Sequence, residues 1–95
     1  MSDREGALQR LFDAAEFGDF LRPLVTHPRF AEWFADRERR LFDDLLKTPV
    51  AAHDERLMLQ VSALALRDLK RWMELSEQQG RASAATLADT LKAQG

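Results

Sequence analysis

No Gly or Pro interrupts the chain between Asp54 and Gln79, and the apolar residues there recur at helical spacing. Leu57, Val61, Leu64, Trp72 and Leu75 share one side of a 3.6-residue helix. Leu59, Leu66 and Met73 mark the opposite side, with Leu69 between them. A helix with one neighbour needs one apolar stripe. This one has two, which predicts neighbours on both sides.

Upstream, Leu8, Leu11, Phe12 and Ala15 form an i, i+3, i+4, i+7 face, and Phe17, Phe20, Leu21 and Leu24 repeat it nine residues later. Nine residues of helix turn the face through about half a revolution. One straight helix would therefore put the two patches on opposite sides. Gly18 and Asp19 lie between them as a C′ glycine and an N-cap, which predicts a helix over Asp3–Phe17 and then a bent segment to His27 containing Pro23. Ser2 and Glu5 have the spacing of a capping box at its start.

A second helix is predicted from Pro28 to about Lys47, capped by Thr26 or His27. Phe30, Phe34, Leu41 and Leu45 form its main face, flanked by Trp33, Phe42 and Leu46. The third helix starts at Pro49 or at Asp54. Either start leaves a short connection and predicts an antiparallel hairpin of 28–47 with 49/54–79, with Phe34–Glu38 opposite Leu64–Asp68. With the N-terminal helix packed on it, the fold is an all-α, three-helix arrangement. Gly80 reads as a C′ stop, and Ser83 as the cap of a short last helix over residues 84–93 with Leu87 and Leu91 as anchors. The expected organisation is one helical domain over residues 1–79 and a weakly ordered or docked C-terminal helix or tail over 80–95.

Composition adds limits to this pattern. In 95 residues, 45% apolar and 32% charged, a globular rather than a disordered chain is expected. There is no Cys, so neither a disulfide nor a thiol nucleophile can form. A net charge of −2 offers no global field to attract nucleic acid or an anionic membrane. No basic segment joins an apolar run near the N-terminus, and no apolar run approaches the roughly 20 residues of a bilayer span. No membrane role is expected, and the protein is placed in the cytoplasm or in a particle assembled there, such as a virion.

Two charges interrupt the apolar faces. Glu38 falls among Phe34, Leu41, Phe42 and Leu45, and Asp68 falls on the Leu57–Trp72 stripe. Two carboxylates so placed would suit acid–base work or a hard cation. Arginines stand next to both, and the preferred reading is cross-helix pairing among Arg37, Glu38, Arg67 and Asp68 that sets the register. No Glu-x-x-His pair, G-x-S-x-G or phosphate-cradling glycine motif occurs, and His27 and His53 sit at helix starts. No catalytic residue, metal or cofactor is expected, and the protein is read as non-enzymatic.

A basic strip is the alternative source of function. Arg37, Arg39, Arg40, Arg67, Lys70 and Arg71 would form a phosphate-contacting face in a DNA-binding packaging or regulatory factor. Glu38, Asp43, Asp44, Asp68 and Glu74 are interleaved with them, the usual pattern of a solvated helix surface.

The apolar excess points elsewhere. Trp33 lies beside the main arc of its helix, and Leu59, Leu66 and Met73 exceed what one short first helix covers. These residues, with Trp72, are the expected protein contact surface, and self-association is the simplest way to bury it. The run HPRFAEWF (His27–Phe34), a charged helix, a short break and LQVSALALRDLKRWME (Leu59–Glu74) also resembles small helical hairpin proteins from the structural gene clusters of tailed bacteriophages. The resemblance covers about Leu21–Leu75. It implies a virion or assembly accessory that binds itself, a larger structural protein, or both, and it transfers no catalytic residues.

Overall fold

The computed structural model describes residues 3–94, and every regular element among them is helical. The order is α1 (Asp3–Val25), α2 (Pro28–Lys47) and α3 (His53–Gln94). The all-α, three-helix arrangement expected from the periodicity is present. The chain divides into two compact units. One joins α1 and its terminal turn to residues 73–94 of α3; the other is the hairpin His27–Trp72.

The hairpin follows from its local signals. His27 adopts an extended conformation, its Nδ1 accepts from the backbone N–H of Arg29 at 3.0 Å, and Pro28 occupies the first helical position. At the other end of α2, the Thr48 N–H donates to the Leu45 carbonyl at 3.2 Å, and its hydroxyl donates to the Asp44 carbonyl at 2.6 Å. The helix stops there because Pro49 cannot continue it. Helix α3 begins at His53, between the two starts the sequence offers, Pro49 and Asp54. Two tight-turn hydrogen bonds, from the amides of Ala52 and His53, set up its first turn. Phe34 is the buried apolar anchor of the hairpin, with the rings of Phe30 and Trp33 edge-on to it at 5.0 and 4.9 Å.

In the hairpin, the half-buried positions are Ala52, just before α3, and Arg56, Leu59, Ala63, Leu66 and Lys70 within it, alternately four and three residues apart. That is the spacing of a helix–helix seam. It corrects the expected assignment of the two stripes. Leu59 and Leu66 lie on the inward seam, and Leu57, Val61 and Leu64 lie exposed.

In the other unit, two expected helix ends do not occur. α1 runs through Gly18 and Pro23 to Val25, and α3 runs through Gly80 to Gln94. Both glycines are buried, and among the described residues no glycine has positive φ. They are there for space, not for a left-handed turn. A Cβ on Gly18 would stand 2.6 Å from the Cα of Gly80; one on Gly80 would stand 2.5 Å from the Cα of Gly18 and 2.8 Å from the Ala14 carbonyl oxygen. The backbones touch where the two helices meet, and Leu21 and Leu87 supply the buried apolar side chains of the unit.

The helix break expected at Gly80 is absent for the same reason. Residues 80–94 continue α3, and Ser83 is buried within it instead of capping a new helix. The predicted Ser2 cap lies outside the described residues. Pro23 falls in the last turn of α1, where Thr26 closes the helix onto the Arg22 carbonyl through both its N–H and its hydroxyl.

Candidate protein-interaction surface

As one continuous helix, α1 leaves most of its second apolar patch bare. Leu21 turns inward and is buried, but Phe17, Phe20 and Leu24 remain exposed, with the first two rings 6.2 Å apart. The half-turn between the patches is thus resolved by exposure, not by a bend.

The hairpin has a second such surface. One face holds an open groove of about 650 Å³ between α2 and α3. Leu41, Leu45, Leu59 and Ala63 line it, with Phe42 on the α2 side and Leu64 on the α3 side. Phe42 is 59% exposed and Leu64 60%. The lining positions Ala35, Glu38, Phe42 and Leu45 on α2, and Gln60, Leu64 and Arg67 on α3, are again three and four apart. On α3 this row lies beside the seam the helix uses, while on α2 it joins half-buried Glu38 and Leu45 to exposed Ala35 and Phe42. Such paired seams are what a helix inside a bundle requires.

The predicted ion-pair residues separate into two groups. Arg67 and Glu38 meet across the hairpin, with Nε 2.6 Å and Nη2 2.5 Å from Oε1. Arg37 and Asp68 are both exposed, and no ion pair joins them among the described residues. The basic strip is partly neutralised: Arg39 and Arg40 both bond Asp36, at 2.5 and 3.2 Å, while Arg67 is held by Glu38. Among the described residues no group of three or more His, Asp or Glu gathers as a metal site would need. No helix is long and apolar enough to cross a membrane.

Of the contact surface expected from sequence, Trp33 and Trp72 are exposed, while Leu59, Leu66 and Met73 are half-buried. Exposed residues missed by that expectation include Phe42, Leu46, Leu57, Val61 and Leu64 in the hairpin, and Phe17, Phe20 and Leu24 on α1. The signal for the hairpin set was the second three-and-four spacing, which emerges only once the inward seam is known.

No family model, curated protein or solved structure matches the chain.

Taken together, sixteen large apolar side chains are exposed and three apolar side chains are buried among the described residues.

Proposed function

We propose that this protein is a non-enzymatic assembly module that works by burying apolar helix faces against other protein chains, beginning with a second copy of itself. The observation that carries the reading is the inverted ratio of exposed to buried apolar side chains. Monomeric soluble proteins seldom leave contiguous apolar surface uncovered, and large exposed patches mark contact sites.

The resemblance of residues 21–75 to phage structural accessories points to the same class of role, with a larger structural protein as an additional partner. The basic strip supports a nucleic-acid role less well, since Arg39, Arg40 and Arg67 are engaged by carboxylates.

Multi-angle light scattering on the purified chain tests the reading. The expected mass is at least twice the 10.9 kDa of one chain at micromolar concentration. A mass of one chain across the accessible concentration range would remove the self-association on which the reading begins.

A further inference from the structure

Resting on the assembly reading, we infer that the outer row of α3 pairs antiparallel with the same row of a second copy, Asp68 of each chain bonding Arg71 of the other. The row is Leu57, Val61, Leu64, Asp68, Arg71 and Leu75, alternately four and three residues apart on one uninterrupted helix. Its apolar members are each at least half exposed, and both of its charges are exposed. The inward seam through Leu59, Ala63 and Leu66 lies on the opposite side of the helix, so α2 does not reach the row. Four-and-three spacing sustained along one face is the seam of a coiled coil, whose natural partner is another helix.

The two charges inside the row identify that helix. Among the described residues neither Asp68 nor Arg71 takes part in an ion pair. A charge covered by an apolar seam is costly unless the partner brings its opposite. Whatever covers the row must therefore present a base and an acid at the same spacing, in the matching order. A second copy laid antiparallel does so. About a two-fold axis midway between residues 68 and 71, Asp68 meets Arg71 twice and Leu64 meets Leu75 twice, the reciprocal contacts of an isologous interface. Parallel copies in register would set Asp68 on Asp68 and Arg71 on Arg71. Sliding the antiparallel copies by one heptad would set Asp68 against Leu64 and Arg71 against Val61. The charges of the row are thus satisfied by its own copy in this one direction and register, which is how polar groups in a seam specify pairing.

Charge exchange tests the pairing. Asp68→Arg and Arg71→Asp are each expected to weaken the dimer about tenfold or more, because each sets like charges together twice. Mixing the two variants, or placing both changes in one chain, is expected to restore it. Leu64→Asp is expected to weaken the dimer about a hundredfold, and Phe20→Asp on α1 to leave it unchanged. Light scattering reads the association, and circular dichroism confirms that each variant retains its helix.

The absence of Cys lets the direction be read by cross-linking, since an introduced thiol is the only thiol in its chain. Leu64→Cys and Leu75→Cys, oxidised separately, are expected to give almost no covalent dimer, because antiparallel pairing leaves each roughly 16 Å along the helix from its own copy. Oxidised together they are expected to give abundant dimer. Covalent dimers from each variant alone would make the pairing parallel and overturn the proposal. Single variants that lose the dimer, with an exchange that does not restore it, would overturn the Asp68–Arg71 contact. A wild-type oligomer indifferent to Asp68→Arg, Arg71→Asp and Leu64→Asp would overturn the row as the interface while leaving the assembly reading intact. A monomeric wild-type chain would overturn both.

Discussion

A methyl group added at Gly6 meets nothing closer than the far end of the Arg10 side chain, at 3.7 Å. At Gly18 and Gly80 the same methyl group meets backbone at 2.6 and 2.5 Å. All three glycines sit inside helices, where Ala is intrinsically favoured by about 1 kcal/mol. Propensity alone therefore ranks the three substitutions as equal, and packing does not. Gly6→Ala should stabilise the protein by up to about 1 kcal/mol. Gly18→Ala and Gly80→Ala should each destabilise it by about 1–3 kcal/mol, because two backbones must part to admit the atom. Thermal denaturation resolves the difference, at about 4–8 °C per kcal/mol for a domain of this size. Three shifts of the same sign would refute the close crossing. The sequence displayed these glycines plainly but not their purpose. A glycine between helical stretches suits a C′ stop and a backbone contact equally well, and only the partner glycine on the other helix separates the two.

At the scale of the element, the two ends of the hairpin connection are tied by a side chain as well as by the turn. Arg56, in the first turn of α3, donates through Nη1 to the Thr48 carbonyl at 3.1 Å and the Leu45 carbonyl at 3.3 Å. The Thr48 carbonyl lies past the last helical residue of α2, and the Leu45 carbonyl accepts from Arg56 in addition to the Thr48 N–H. Arg56→Ala should lower stability by about 1–2 kcal/mol, and Arg56→Lys by less. The loss should appear as a lower denaturation midpoint with an unchanged slope, and as faster amide exchange in the Thr48–Ala52 connection. An Ala variant as stable as the parent would show that the bridge contributes nothing. The hairpin itself was legible because its punctuation is unambiguous: His27-Pro28 opens α2 and Thr48-Pro49 closes it. Which stripe of α3 faces inward was not legible. Both have helical spacing and comparable apolar content, and small Ala63 on the inward seam weakens the very stripe that packs.

For the whole molecule, the consequence of so few buried apolar side chains is thermodynamic. Leu21, Phe34 and Leu87 are the buried apolar side chains among the described residues, so the folded chain gains little from its own interior. If a second copy supplies the missing burial, folding and association are linked, and the stability of the fold depends on protein concentration by mass action. Each tenfold rise in concentration adds about 1.4 kcal/mol to a dimer, which for two chains unfolding together should raise Tm by roughly 3–5 °C. Scans from low micromolar to high micromolar concentration measure this directly. A Tm that stays flat would mean that one chain holds its helices unaided, and the exposed rows of Phe and Leu would then have to be stabilising nothing. The Leu64→Asp variant sharpens the comparison. Removing the dimer should abolish the concentration dependence and lower Tm at high concentration, while Phe20→Asp should leave the slope as it was. The slope, and not the absolute Tm, is the quantity that ties the exposed row of α3 to the stability of the fold.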